Sequence, residues 1–277
     1  MQVNRAVWWA LIRLGAVVVI ALVGPVVATT SPVVRRPEGI LWALLAVSLT
    51  VAAAAVFAGG LAWWSEFRRV MMTVAARAVA PQVFALASLG ILLASAPSAL
   101  MADVSWRGAA LVSAAIVGAV PVAFVLFGIR SGLASRDHAS NAASLEHVLR
   151  LRPLAQRQLT ALGALVALAT LALGASFRAA ADNEPPETIL IFGLSGSAGV
   201  ALVYLPARTA LRRVSDSLVD AMFPIVDGAE PAALLEIAER RQTLRGVLGL
   251  EGDVVRDLQA NIAVLAPLMA GGVDLLL

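Results

Sequence analysis

The sequence contains no cysteine and no lysine, one tyrosine, two histidines, and only 14% charged residues. Without cysteine there is no disulfide, no thiolate nucleophile and no Cys-ligated zinc or iron–sulfur centre. The redox compartment therefore leaves no mark on the chain. All 21 basic residues are arginine, and with the dominance of Ala, Val and Leu this reflects base composition as much as physics. The scarcity of charge is more telling. Soluble domains carry roughly a quarter charged residues and about half apolar ones, whereas here 60% are hydrophobic and the mean hydropathy is +0.87. A soluble fold would leave much of that apolar surface without cover, and lipid is the solvent that tolerates it.

A membrane-spanning helix needs about 20 mainly apolar residues to cross about 30 Å of hydrocarbon. Runs of that kind occur at 40–64, 82–102, 108–129, 159–177 and 188–206. A further run, 7–29, contains Arg13 near its start, within snorkelling reach of the headgroups. A cleaved signal peptide is the competing reading of this first run, since Val26 and Ala28 suit the small-residue rule. Trp8, Trp9, Trp42, Trp63, Trp64 and Trp106 all fall near the proposed ends, where a half-buried indole with a wet N–H is most stable. The expected fold class is thus all-α, a polytopic membrane protein of six spans over residues 1–206, followed by a helical tail over 207–277.

Arginine distribution orients the spans, because basic loops are retained on the cytoplasmic side. With the N-terminus inside, thirteen arginines lie before, between or after the spans on the cytoplasmic side and four (Arg35, Arg36, Arg107 and Arg178) lie on the other. Both termini are expected in the cytoplasm of a cell membrane. Arg68, Arg69, Arg77, Arg150, Arg152, Arg157, Arg212 and Arg213 flank the spans there, and anionic lipid headgroups are their expected counterpart, not nucleic acid.

The loops carry some pattern. Phe67, Val70, Met71, Val74 and Ala78 recur at helical spacing, which predicts that the second span continues over 66–81 as an amphipathic helix seated on the lipid surface. In the longest loop, 131–158, a short helix is expected over 144–151, stopped by Pro153. Both histidines, His138 and His147, lie there beside Asp137 and Glu146, without a recognised ligand spacing, and a solvated loop is the plainer reading. In the tail, Leu211, Val214, Leu218 and Met222 form one stripe. Leu234, Ile237, Leu244, Val247 and Leu248 form a second, and a third helix is expected from Asp253 through Leu258, Ile262, Leu265, Leu268 and Met269. Each buried aliphatic side chain stabilises such a bundle by roughly 1.5–3 kcal/mol, against about 1–2 kcal/mol of backbone entropy per ordered residue. A tail of this size needs outside cover, and its C-terminal stripe is the expected docking surface for a cytoplasmic protein or a second copy, with the membrane face as another cover and burial within the tail bundle as the plainer reading.

Chemistry is sparse. Apart from Arg13, the spans contain no ionisable residue, which argues against a proton relay or a charged ion path. The intramembrane serines have no histidine or carboxylate in their own span, so neither a serine dyad nor an aspartyl pair can form. No catalytic residue, cofactor or metal ligand is assigned. The segment 193–199 invites comparison with a nucleotide loop, but it has no lysine and no flanking strand. Gly193, Ser195, Ser197 and Gly199 are instead spaced for close helix packing, four residues apart in two pairs. The functional expectation is a membrane-anchored interaction or regulatory module acting through its tail. The alternative is a permease, channel or membrane effector subunit for a neutral or lipidic solute, motivated by Pro25, Pro97 and Pro121 in or near the spans.

Overall fold

In a computed structural model the residues described are 3–31, 37–70, 76–100, 106–134, 140–180, 187–225 and 230–250. They form seven helices: α1 (Val3–Thr29), α2 (Pro37–Val70), α3 (Ala76–Leu100), α4 (Trp106–Ala134), α5 (Asn141–Ala180), α6 (Glu187–Met222) and α7 (Pro231–Leu248), with no strand among them. The first six are long and apolar enough to cross a membrane. The chain is a multi-pass helical membrane protein.

α2 and α4 run parallel at the centre, and close contact between them needs glycine. A Cβ on Gly118 would lie 2.6 Å from the Ala53 carbonyl oxygen, and one on Gly60 would lie 2.8 Å from the Pro121 ring. Further along, Phe67 packs against Gly128 and stacks on Trp64 with ring centroids 5.3 Å apart. Around this pair the core divides into two halves. Near the start of α4, α1, α2, α4 and α5 enclose Ile20, Val27, Trp42, Ala46, Leu49, Leu111 and Ala172. Near its end, α3 and α6 join α2, α4 and α5 around Val83, Val122, Leu126, Ile129, Leu159 and Val200. The outer faces remain apolar: Leu89, Leu92 and Leu93 on α3, and Ile191, Leu194 and Leu202 on α6, are all exposed. In water such faces would be a liability; against acyl chains they are at home.

α1 is an integral wall of the first half. The Thr50 hydroxyl donates to the Ala21 carbonyl at 3.3 Å, and a Cβ on Gly24 would stand 2.7 Å from the Ala46 carbonyl oxygen.

The structure revises the loops. Of the predicted surface helix over 66–81, residues 66–70 belong to α2 and 76–81 to α3, while 71–75, with Met71 and Val74, lie outside the described residues. Phe67 and Val79 are fully buried in the protein core, not laid on lipid. Pro153 does not stop a short helix, because α5 runs through it from Asn141 to Ala180. At 1.5 Å per residue this 40-residue helix is about 60 Å long, about twice the hydrocarbon thickness. α6 likewise continues through Pro206 to Met222. The missing backbone donor of a proline was compensated by packing: Leu151, Leu154 and Ala155 of α5 face Tyr204, Ala207 and Leu211 of α6 in one cluster.

α7 folds back along the end of α6. Arg241 donates to Asp220 and, at 2.8 Å, to the Phe223 carbonyl, and Arg245 reaches Asp216 at 3.9 Å. Leu248 closes the hairpin against Val148, Leu218 and Val219. α7 then stops in a Schellman turn: the Gly249 N–H bonds the Gly246 carbonyl and the Leu250 N–H the Arg245 carbonyl, each at 2.9 Å. Gly249 has φ 59°, the left-handed conformation that glycine adopts without a Cβ penalty. The expected third tail helix, with Leu258, Ile262, Leu265, Leu268 and Met269, lies outside the described residues.

Candidate anion-binding pocket

Where the extensions of α5 and α6 meet the end of α7, they enclose a cavity of about 50 Å³. One water needs roughly 10–15 Å³ by a comparable measure, so the space suits a compact polyatomic group and is too small to enclose a nucleoside. α5 contributes Val148, Arg152, Ala155 and Gln156; α6 contributes Tyr204, Arg208, Leu211, Arg212 and Ser215. Leu248, Gly249 and Leu250 form the roof.

Helical periodicity explains the assembly. Arg152 and Gln156 are one turn apart on α5, and Arg208, Arg212 and Ser215 occupy successive turns of α6, so two antiparallel helices present them to one space. The register is fixed deeper down, where a Cβ on Gly196 would meet Val166 at 2.8 Å. Counting eight residues outward on each helix brings Gln158 level with Tyr204. Tyr204 and Ser215 are both buried, and the Ser215 hydroxyl donates to the Leu211 carbonyl at 2.8 Å. Gln158 is wholly buried with neither amide atom hydrogen-bonded.

The charge balance of the pocket is one-sided: three guanidinium groups line it and no carboxylate does, among the described residues. Elsewhere in this region arginines are paired. Arg150 meets Glu146 at 2.6 Å, Arg240 meets Glu236 at 2.5 Å, and Arg241 and Arg245 meet Asp220 and Asp216. Arg152 and Arg212 have no ion pair among the described residues. A planar guanidinium offers paired donors that match phosphate or carboxylate geometry. Chemically, the described lining offers guanidinium donors of the kind that suit a small anion.

Of the arginines expected at headgroups, the structure brings together Arg152 and Arg212, with Arg208 between them. Arg68, Arg69, Arg77, Arg157 and Arg213 are exposed and separate from this site. Gly193 is buried and Ser197 half-buried, while Ser195 and Gly199 are exposed, and a Cβ on Gly199 would meet nothing within 4 Å. The close approach of α5 and α6 occurs at Gly196, between those pairs. His147 bonds its own helix at the Ala143 carbonyl, and His138 lies outside the described residues. Gln158 was missed because it precedes the apolar run; a polar residue on the buried stripe Leu151, Leu154, Ala155, Leu159, Leu162 was the available signal.

Comparison with protein-family models, curated proteins and solved structures found no match. The site's chemistry stands on this chain's own residues.

Proposed function

We propose that the chain is a membrane-anchored docking module whose bundle holds a helical head at the cytoplasmic face of the cell membrane, where the head engages a cytoplasmic protein or a second copy. The observation that carries this reading is the continuity of α5 and α6 from the apolar bundle into the head, with α7 hairpinned onto α6. A head built this way is joined to the bundle by two helices with no intervening loop. The arginine excess around the head favours the cytoplasmic side, in keeping with retention of basic segments there. Leu235 and Val247 on α7 are exposed apolar positions available to a partner. Transport is supported less, because Pro121, one of the residues that invite it, sits in close contact with Gly60 between the central helices.

The test is covalent cross-linking in native membranes followed by purification, comparing the full chain with a form lacking 227–277 and with Leu235→Asp/Val247→Asp. Loss of the same cross-linked species from both variants, with membrane extraction by detergent unchanged, is expected. An unchanged cross-linking pattern in both would remove the docking reading.

A further inference from the structure

We infer that the pocket between α5, α6 and the α7 cap binds a phosphate group, with Arg152, Arg208 and Arg212 as its ligands. The inference goes beyond the docking role and does not depend on it. Three features converge. The cavity is compact and bounded on three sides by helices, so a bound anion is partly shielded from bulk screening. Among the described residues its charged lining is Arg152, Arg208 and Arg212, and of these Arg152 and Arg212 have no ion pair there, whereas Arg150, Arg240, Arg241 and Arg245 each meet a carboxylate. Its lining also includes two buried hydroxyl side chains, Tyr204 and Ser215, about three turns apart on α6.

Phosphate suits this lining better than a carboxylate does. Its oxygens point in several directions, so guanidinium groups from two helices can each engage a different pair, whereas one carboxylate presents a single bidentate edge. The uncharged run of α6 ends near Pro206 in the sequence, so the α6 arginines of the pocket follow directly on it, where a lipid headgroup would be met. The phosphate can belong to an anionic lipid or come from solution; the same arginines serve both. Either source would join α7 to the two long helices, because the roof Leu248–Leu250 belongs to the α7 cap and Arg152 packs directly beside Gly249. Arg152 also stands at the electronegative C-terminal end of α7, a structural role of its own. Arg212 has no such role and separates the two.

The test uses the full chain in nanodiscs. In phosphatidylcholine discs, inorganic phosphate is titrated against chloride at matched ionic strength. In a second arm, phosphatidylcholine is compared with discs containing phosphatidic acid. Thermal unfolding and hydrogen exchange of α7 are read in both. Stabilisation and added α7 protection are expected in at least one arm: phosphate in neutral discs assigns a soluble ligand, and an effect confined to phosphatidic acid assigns the headgroup. Arg152→Gln and Arg212→Gln should each weaken apparent binding at least tenfold, Arg212→Lys less than Arg212→Gln, and Arg68→Gln/Arg69→Gln not at all. The assignment is overturned if neither arm stabilises, if chloride does as well as phosphate, or if Arg212→Gln responds like the unmodified chain.

Discussion

Arg107, at the start of α4, donates a hydrogen bond from Nη2 to the carbonyl oxygen of Thr30, 2.7 Å away. The bond sets a permanent positive charge at the electronegative end of α1 and ties two helices that are 77 residues apart at this point. The guanidinium carbon also lies 5.7 Å from the centre of the Trp106 ring. Arg107→Gln should therefore lower stability by about 1 kcal/mol, in the range of a hydrogen bond to a charged group after discounting for its exposure. Thermal unfolding in detergent measures it, and no change would mean that the bond contributes nothing to holding α1.

The central helix pair gives a sharper contrast. Gly118→Val forces a branched side chain against the Ala53 backbone, which cannot move aside without separating α2 from α4. Overpacking of this kind costs about 1–3 kcal/mol. Gly199→Val meets nothing within 4 Å and should stay within about 0.5 kcal/mol of the unmodified chain. If Gly199→Val instead changes the cross-linked oligomer, its exposed face is a contact between copies.

Gln158 should be improved upon. Replacing its buried, unpaired amide by the similarly sized Gln158→Leu removes a desolvation penalty of about 1–3 kcal/mol, and the melting temperature should rise. A fall would show that the amide has a partner in the membrane-embedded protein.

Gly249→Ala should loosen α7. The substitution places a Cβ in the left-handed region, at a cost of about 1 kcal/mol, and drives it into the Arg152 guanidinium. Limited proteolysis within Pro231–Leu248 should quicken while the bundle remains resistant; equal resistance would detach the cap from the docking of α7.

The absence of cysteine makes orientation directly measurable. In intact cells, Gly108→Cys should react with an impermeant maleimide, and Leu235→Cys only after permeabilisation. The reverse pattern would invert the proposed topology.

The spans were legible because lipid imposes a length and a polarity that a linear string displays. Uncharged runs such as 40–64 and 108–129 lie within α2 and α4. Helix ends beyond the apolar runs were less legible, since local rules compete there with packing. Pro153 carries a stop signal, yet the buried face of α5 from Val148 to Leu162 outweighs it. Phe67 has the spacing of a lipid-seated residue but meets Gly128 from a helix that sequence periodicity cannot place beside it. For the pocket, Arg152 and Arg212 were visible singly as membrane-flanking charges. Their convergence depends on the α5–α6 register set at Gly196 and Val166, a tertiary fact with no trace in either segment.

Pro153 and Pro206 lie within about one turn of the same height on the antiparallel pair α5 and α6. Each lacks one rung of its hydrogen-bond ladder, and helices bend most readily at such positions. Two weak points at one level make a knuckle: the part of the protein beyond them can swing as a unit while the buried part stays still. Because Arg152 and Arg208 flank that knuckle, whatever draws their side chains together also sets the angle at which α7 is carried.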